Sequence, residues 1–419
     1  MTSTTDELVY RYVQASSLRD DGSRLELALA TSGGCAPNPW LADGFLRAPQ
    51  TAARALLLVA NVAGERFWTP PNMVAAAIEA ADPVVTTSQH ALRFESFSRC
   101  CGVYARFDMD AAALDGAVHS HGTTNIDVNP PLRAALARIG PRDPLHLRVG
   151  NDELAVSTLD GQVVEKRVPL PERWVRGFAE AAVATSTLEP RLELSNGALR
   201  QFLQQLPRGG TRGVQWVVPS GSGARLSTRS APGALAVGGI ERLRALREMA
   251  PFIRAVTAFG RRGEPSSHGS SCSVWSVEVE GGHLALALSP EPSRGFSGEG
   301  GLLYATSNTL NAKMEAAAAG RLGYDVQRAE WFPRELPFSR RTLDRPDGRL
   351  AKARELVAAE AVVLTDDGRA AAVASGSNEY RVRLVDGTWR CTCPWWGKHG
   401  DDRGPCKHIL AAVIASTRD

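Results

Sequence analysis

The stretch that decides how the C-terminal part of the chain folds is Glu379-Tyr-Arg-Val-Arg-Leu-Val-Asp-Gly-Thr-Trp-Arg-Cys391-Thr-Cys393-Pro-Trp-Trp-Gly-Lys-His-Gly-Asp-Asp-Arg-Gly-Pro-Cys406-Lys-His408-Ile-Leu410. It holds two pairs of metal-binding side chains, Cys391/Cys393 and Cys406/His408, each pair separated by one residue and the pairs by twelve. Three thiolates and one imidazole complete a tetrahedral shell that leaves no position for substrate. The spacing therefore predicts a structural zinc site.

The sequence around these ligands predicts two strands and a helix. Apolar and basic residues alternate over positions 380–384, as in a half-buried strand, and Asp386-Gly387 is a hairpin dipeptide that leads into a second strand. The apolar run at 409–415 is long enough for two helical turns. Cys406 and His408 would then lie at the start of a helix, where the helix dipole favours a thiolate. We expect a zinc-clamped ββα unit.

A C-x-C…C-x-H pattern on a strand pair followed by a helix resembles the SWIM zinc finger. All four ligand positions of that family are matched, by Cys391, Cys393, Cys406 and His408. The sequences Cys-Pro-Trp-Trp and Gly-Pro-Cys-Lys-His around the ligands strengthen the resemblance. The resemblance implies a Zn²⁺ cofactor and an ability to bind DNA, RNA or other proteins.

Two further segments, at 294–300 and 331–337, look similar to parts of uncharacterised bacterial SWIM-containing proteins. Genes for such proteins often lie beside those for MoxR-type AAA+ ATPases and von Willebrand A proteins. The resemblance thus implies an AAA+/von Willebrand A system as the partner.

Length and composition predict a globular, multidomain protein. The chain has 419 residues, of which 43% are hydrophobic, and no apolar run is long enough for a membrane span. The N-terminus lacks the basic and apolar regions of a signal peptide. Four cysteines outside the finger are too few for a disulfide scaffold in so long a chain, which favours a reducing, cytoplasmic location without membrane contact.

The charge pattern gives little support for nucleic-acid binding. The net charge is +3, and the region from residue 375 to the end carries seven basic and five acidic residues, a peptide charge of +2. A dedicated nucleic-acid module usually has a concentrated basic patch. Composition alone therefore leaves both protein and DNA open as partners.

Outside the finger the sequence alternates helix and strand signals, which indicates an α+β class with antiparallel hairpins. We expect helices starting at Pro49 and Pro171 and at 73–81, 198–206, 302–320 and 350–359, and one helix over 240–259 that is interrupted at Pro251. Hairpins are expected at 84–94 and 273–288, a meander at 145–168, and a single strand at 214–218. The predicted domains are 1–186 (N-terminal α+β), 187–300 (middle α+β), 301–360 (helical connector) and 361–419 (SWIM-type zinc finger).

A candidate partner-binding surface lies between the two ligand pairs. Exposed Trp395 and Trp396 rings could stack on bases or anchor a protein partner, and we expect one ring to be buried and one partly exposed. His399 is expected to be solvated rather than a zinc ligand. The surface is completed by the nearby basic residues Lys398, Arg403 and Lys407.

The sequence offers weak candidates for catalysis. The sequence around Cys100-Cys101 predicts a strand, and His119-Ser-His121 is expected to form a polar turn before Gly122. The segment at 295–300 fails the G-x-S-x-G pattern and lacks a phosphate-loop lysine, so no ATP or NAD site is predicted. The favoured interpretation is a non-enzymatic zinc-binding adaptor. The alternatives are a DNA-binding regulator acting through the finger and a hydrolase that uses the cysteines or the histidine pair.

Overall fold

The structure is a computed structural model that mixes helices with antiparallel sheets, as the sequence predicts. Two predicted helices, at 73–81 and 302–320, lie outside the described residues apart from residue 317. No helix in the described part of the chain is long and apolar enough to cross a membrane. The structure describes residues 17–20, 25–28, 40–65, 67, 83–126, 128–168, 170, 172–211, 213–261, 272–290, 295–296, 317, 321–334, 348–385, 388–400 and 404–416.

An eight-stranded antiparallel sheet forms the largest layer, in the order β12-β16-β17-β18-β6-β5-β4-β8. It takes strands from both sides of the predicted boundary at 186/187, and the domain limits themselves stay a prediction. The strands, numbered in chain order, are β4 (Val84–Thr87), β5 (Ala91–Phe97), β6 (Val103–Asp110), β8 (Gly122–Asn125), β12 (Leu188–Ser195), β16 (Ile253–Arg261), β17 (Ser273–Val279) and β18 (Gly282–Leu288).

Both faces of this sheet are covered, so β5 and most of β6 are buried along their length. Successive side chains point to opposite faces. Phe94 and Phe107 lie in the larger apolar cluster, on the side where helix α1 (Pro49–Gly64) contacts β5 and β6. Phe97 and Tyr104 lie in a second cluster together with residues of α3 (Glu172–Thr185).

The described residues outside the C-terminal unit also form four smaller sheets. A five-stranded sheet has the order β11-β10-β9-β3-β7, a three-stranded sheet has the order β14-β13-β15, and there are two separate hairpins. The remaining strands are β1 (Ser17–Asp20), β2 (Leu25–Ala28), β3 (Trp40–Leu46), β7 (Leu114–Val118), β9 (His146–Gly150), β10 (Glu153–Thr158), β11 (Gly161–Lys166), β13 (Val214–Ser220), β14 (Gly223–Ser227), β15 (Leu235–Gly238), β19 (Leu322–Asp325) and β20 (Glu330–Pro333). Among the described residues, the other helices outside the C-terminal unit are α2 (Pro130–Arg138), α4 (Asn196–Gln204) and the two 3-10 helices Ala111–Ala113 and Ile240–Arg247.

Several sequence predictions are confirmed. The hairpins β4/β5 and β17/β18, the meander β9–β11 and the helix beginning at Pro49 are all present. The segment expected to hold one strand at 214–218 instead forms the three strands β13, β14 and β15. Cys100 and Cys101, expected in a strand, lie in the turn between β5 and β6, where Cys101 has a φ of 53°.

The helix predicted over 240–259 is wrong. A 3-10 helix ends at Arg247, and β16 begins at Ile253. Pro251 has no N–H to continue a helix, and β16 fills the position between β12 and β17, where Val256 and Phe259 are buried. Strand pairing on both edges of β16 outweighs the helical spacing of its apolar residues. The two partner strands come from other parts of the chain, so the local sequence does not reveal this pairing.

The C-terminal unit, residues 348–416, has its own apolar cluster. Its antiparallel sheet has the order β21-β22-β23-β24, and one face is covered by the helices. Ala371, Val373 and Val382 of the sheet pack with Ile409 and Leu410. Its elements are α5 (Gly348–Ala358), β21 (Val362–Thr365), β22 (Ala370–Ser375), β23 (Asn378–Val385), β24 (Thr388–Cys391), α6 (Pro394–His399) and α7 (Lys407–Ser416).

Candidate metal centre

Local structure brings the four predicted ligands together at the ends of three elements. Cys391 is the last residue of β24, and Cys393 caps α6 by accepting a hydrogen bond from the backbone N–H of Trp396 at 3.4 Å. Cys406 immediately precedes α7, and His408 lies in its first turn. Two of the three thiols, Cys393 and Cys406, therefore lie at helix starts, where partial positive charge stabilises thiolates.

The distances among these side chains fit one tetrahedral ion. The four ligand atoms all lie within 4.8 Å of one another. Cys391 Sγ lies 3.8 Å from His408 Nδ1. Bond lengths of about 2.3 Å to sulfur and about 2.1 Å to nitrogen would separate tetrahedral ligand atoms by roughly 3.6–3.8 Å. The arrangement therefore matches zinc in size as well as in ligand type.

Burial supports the same assignment. All four ligands are buried, the most exposed being Cys391 at 7%. The His408 ring stacks on Tyr380 with centroids 4.4 Å apart, which holds the ring with Nδ1 towards Cys391. His408 Nε2 is buried and has no hydrogen-bond partner among the described residues.

Hydrogen bonds connect the three thiols of the cluster. Hydrogen bonds from Cys391 and Cys406 lower the pKa of Cys393, so this sulfur is the one that ionises first. Hydrogen bonding to Cys393 and Cys406 raises the pKa of Cys391. The hydrogen bond to Cys391 lowers the pKa of Cys406. The hydrogen bond to Cys393 and burial have a larger, opposite effect, so the pKa of Cys406 is raised to about 11. Zinc binding must therefore displace protons that these sulfurs share.

With these ligands in place the site is closed. Four protein ligands satisfy tetrahedral zinc, so no coordination position remains for water or substrate. The arrangement holds a strand end and two helix starts together and has a structural role.

Comparison with known families agrees with this geometry. Residues 380–416 match the SWIM zinc finger. This segment is a SWIM zinc finger. The match begins in β23 and ends at the last residue of α7, so it includes all four ligands. The SWIM match leaves α5, β21 and β22 outside the family segment, although they pack against the finger.

Comparisons with curated proteins and with solved structures do not identify a relative of the whole chain. No curated protein matches the chain. Proliferating Cellular Nuclear Antigen from Entamoeba histolytica is 12% identical and aligns over 60% of this chain and 99% of its own, with a TM-score of 0.38. The PCNA2-PCNA3 complex from Sulfolobus tokodaii is 9% identical over 59% of this chain and 98% of its own, with a TM-score of 0.40. Scores this low carry no argument about the present chain.

Three of the predicted partner-binding residues, Trp395, Trp396 and Lys398, lie on α6, and Lys407 is the first residue of α7. Trp395 and Trp396 are both half-buried against the apolar cluster of the unit, so the expectation of one buried ring is wrong. Arg349 lies over the Trp395 ring at 5.1 Å, and Lys398 is exposed. Lys407 donates to Ser375 Oγ at 2.8 Å. Arg403 lies outside the described residues.

The weak catalytic candidates are not assembled into a site within the described residues. Cys100 contacts Ser98 Oγ at 3.5 Å, and its neighbour Cys101 is buried. His119 and His121 lie in the connection between β7 and β8, which belong to different sheets. Among the described residues, neither the cysteine pair nor the histidine pair belongs to a group of three or more potential metal ligands.

Sequence reasoning missed a second polar cluster, formed by Asp108, His283 and Asp325. His283 Nε2 lies 3.0 Å from Asp108 Oδ2 and 3.5 Å from Asp325 Oδ2. Arg106 lies between the carboxylates, 2.5 Å from Asp108 and 2.9 Å from Asp325. Because arginine already neutralises both carboxylates, the cluster is an ion-pair network rather than a metal site. The only sequence signal was the charged residues in otherwise buried strands.

Within the segment at 294–300, the structure describes residues 295 and 296, and both contribute to packing. Phe296 is buried among Phe97, Trp174 and Phe178, and its N–H donates to the Cys101 carbonyl at 2.7 Å. A Cβ on Gly295 would lie 2.3 Å from the Cys100 carbonyl oxygen. The glycine is therefore needed for close backbone approach at this point.

Proposed function

We propose that the chain is a non-enzymatic, zinc-binding adaptor protein whose C-terminal ββα finger presents a recognition surface to a protein partner. The observation that carries the proposal is the closed, buried Cys₃His cluster at the junction of β24, α6 and α7. A metal held in this way stabilises a surface and performs no chemistry itself.

The proposed protein-binding surface is α6 with its surroundings. Trp395 and Trp396 are half-exposed, and aromatic side chains with partial exposure are frequent anchors of protein interfaces. Because Cys393 caps α6, the position of both rings depends on the metal ligands. Lys398 supplies an exposed charge at the rim, and Arg403 and Lys407 follow in the sequence.

An AAA+/von Willebrand A assembly in the cytoplasm is the partner system that the resemblance suggests. Cys100, Cys272 and the three finger cysteines are thiols outside any disulfide, which supports a reducing compartment.

Affinity purification with mass spectrometry, run with and without a zinc chelator, tests the proposal. The wild type should retain a specific protein that is lost with chelator and lost in Trp395→Ala/Trp396→Ala, while that variant keeps its zinc. Leu159→Ala, at a side chain that is 73% exposed and outside the finger, is the matched control. Equal capture by the tryptophan variant and the control would contradict the proposal.

DNA binding is the second candidate function, and one observation favours it. Three exposed arginines share the outer face of the sheet in the C-terminal unit, on strands β23 and β24. A salt-dependent gel shift tests the function directly, since phosphate contacts weaken as salt rises.

A further inference from the structure

The first strand of the C-terminal sheet has an unpaired edge. Among the described residues, β21 pairs with β22 and has no strand on its other side. The Ala374 N–H donates to the Ala361 carbonyl at 2.8 Å, which marks these two residues as a hydrogen-bonded pair. Such pairs alternate along an antiparallel ladder, so the backbone groups of Val362 and Leu364 point towards the free edge. Each of these two residues offers one N–H and one C=O to a further strand.

The side chains of β21 make this edge apolar. Val362 and Leu364 are half-buried and pack against the apolar cluster of the unit. Val363 points to the outer face of the sheet and is 60% exposed, more than any other large apolar side chain described in the C-terminal unit. Its cross-strand partner in β22 is the small residue Ala372, and the free edge lies on its other side. A strand added to β21 would therefore bury Val363 against a side chain of its own.

The sequence of β21 lacks the features that usually prevent pairing at a sheet edge. Protected edges carry charged residues, proline or a bulge. At one edge of the large sheet, β12 has all of these: charged residues, Pro190 and a register shift between Pro190 and Leu192. By contrast, β21 has the sequence Val-Val-Leu-Thr, and its pairing with β22 is regular. The strand is only four residues long, so a partner strand would be short as well.

Acidic residues lie at both ends of β21. Glu360 precedes the strand, Asp366 and Asp367 follow it, and all three side chains are exposed. None of the three is in a salt bridge with another described residue. Residues 355–369 carry four acidic side chains and one basic side chain, a net charge of −3. Helix α5 ends just before Glu360, so the negative end of the helix dipole adds to the charge there.

These charges argue against a second copy of the chain as the occupant of the edge. In antiparallel self-pairing, the free backbone groups require Val362 to face Leu364 of the second copy, which centres the pairing on Val363. Glu360 would then face Asp366 of the second copy, and the same contact would recur at the other end. Like charges at opposite positions are destabilising, whereas basic residues at those positions would be attracted.

We propose that β21 is a strand-addition site for an extended, basic segment of a partner protein. The segment pairs antiparallel to β21, with a β-branched apolar residue opposite Val363 and Lys or Arg about three positions to either side. The pair at Val363 is not hydrogen-bonded, and such pairs bring opposing side chains closest together. The site lies outside the SWIM segment 380–416, at the opposite edge of the sheet from β24, which leads into α6. It therefore goes beyond the proposed contact through the tryptophans of α6.

Fluorescence anisotropy of labelled peptides with the full-length zinc-loaded protein tests the proposal. The probe is Arg-Thr-Thr-Val-Thr-Thr-Arg, and Glu-Thr-Thr-Val-Thr-Thr-Glu should bind about tenfold more weakly because its charges repel the acidic ends of β21. N-methylation of the third and fifth probe residues, which face Leu364 and Val362, should abolish binding. N-methylation of the central valine is the matched control: its N–H points away from β21, so binding should persist.

Variants of the protein test the same register. Val363→Lys should weaken probe binding about fivefold, because it replaces the apolar contact with a charge that repels the probe. Val164→Lys is the matched control, since Val164 is an exposed valine on β11, which is also an edge strand. Glu360→Gln/Asp366→Asn/Asp367→Asn should bind the two peptides equally. Asparagine tolerates the left-handed backbone at 366 and 367, where φ is 58° and 48°.

Four results would overturn the proposal. These are a wild type that does not bind the probe, equal binding of the two peptides by wild type, equal effects of the two kinds of N-methylation, and equal effects of Val363→Lys and Val164→Lys. Because the peptide comparisons use the wild type, they decide the question even if a variant misfolds. Zinc content and thermal unfolding should be unchanged in Val363→Lys, since the side chain is exposed.

Two further measurements separate this site from other occupants and from the proposed contact at α6. Trp395→Ala/Trp396→Ala should bind the probe as wild type does, and loss of binding in that variant alone would place the peptide on α6 and overturn the proposal. Sedimentation velocity should show no dimer that depends on Val363. A dimer that Val363→Lys abolishes would mean that a second copy occupies the edge, which would also overturn the proposal.

Discussion

Arg106 Nη2 lies 2.9 Å from Asp325 Oδ1, and both side chains are 2% exposed. Arg106 belongs to the central strand β6, whereas Asp325 ends the first strand of the β19/β20 hairpin. A second ion pair joins the same two parts with opposite polarity, from Glu95 of β5 to Arg334 after β20. The pairs fix how the hairpin is placed on the sheet, because buried charges tolerate few alternative partners.

Asp325→Asn should strongly destabilise the protein. The change leaves the Arg106 cation buried without its carboxylate and weakens the bonds that Asp325 Oδ1 accepts from the backbone of Gln327 and Arg328. Breaking one partner of a buried pair typically costs about 3–5 kcal/mol. Urea unfolding measures the loss. Asp110→Asn, which breaks an exposed pair with Arg328, should cost under about 1 kcal/mol, and equal effects of the two variants would argue against a buried network.

Stability should fall as pH rises through the folded-state pKa of His283. Burial lowers the pKa of His283, but its hydrogen bonds to Asp108 and Asp325 outweigh burial and raise the pKa above 6.5. A raised pKa means that the folded state holds the proton more tightly, so this contribution is complete below about pH 6.5 and lost above the raised value. For wild type, the urea midpoint of unfolding should decline as the pH is raised from about 5 to about 9, a range that includes the ordinary histidine pKa. His283→Gln should show a flatter profile, and an unchanged decline would exclude His283 as the cause.

Acid should remove a different contribution from the same network. Burial raises the pKa of Asp325, but Arg106 and the His283 hydrogen bond outweigh it, so the pKa is well below the usual value of 3.8. A lowered pKa stabilises the folded state at all pH values above about 4, and this stabilisation is lost as pH falls towards the folded-state value. Acid titration followed by near-UV circular dichroism should show earlier unfolding in Asp325→Asn than in Asp110→Asn.

The zinc ligands could be found from sequence because their geometry is local. Ligands two residues apart at a strand end and at a helix start converge whatever the rest of the chain does. The β17/β18 hairpin was equally local, since Gly281 and Gly282 specify the turn. By contrast, β16 and the Asp108–His283–Asp325 network depend on partners from distant parts of the chain. Their positions follow from sheet order, which no local pattern encodes.

Gly295→Ala should destabilise the packing of Phe296. The added Cβ would meet backbone atoms of Cys100 and Cys101 at 2.3–2.9 Å, and backbone cannot move aside as a flexible side chain can. Overpacking of this kind typically costs about 1–3 kcal/mol. Gly197→Ala is the control: its Cβ would meet nothing within 4 Å on α4, and removing a helical glycine should stabilise by about 0.4–1 kcal/mol. Thermal melting of both variants should move in opposite directions.

Cys393→Ala should abolish zinc binding and unfold the finger. The change removes one of four ligands and also the side-chain cap of α6, so the connection between β24 and α6 loses both of its constraints. Structural zinc supplies about 10–16 kcal/mol in finger peptides at neutral pH, more than the apolar packing of so small a unit can replace. Because Ile409 and Leu410 of α7 form the centre of the apolar cluster, loss of the metal should also loosen α5 and the sheet.

Elemental analysis and hydrogen exchange check this outcome. Wild type should hold one zinc per chain, a stoichiometry that agrees with one Cys₃His group in the part of the chain that the structure describes. Cys393→Ala should hold none and lose protection over 388–416, while β5, β6 and β17 in the large sheet stay protected because their core is separate from that of the C-terminal unit. Cys100→Ser, at a thiol outside the finger, should retain the metal. Full zinc occupancy in Cys393→Ala would mean that another side chain completes the shell, and the ligand assignment would then be wrong.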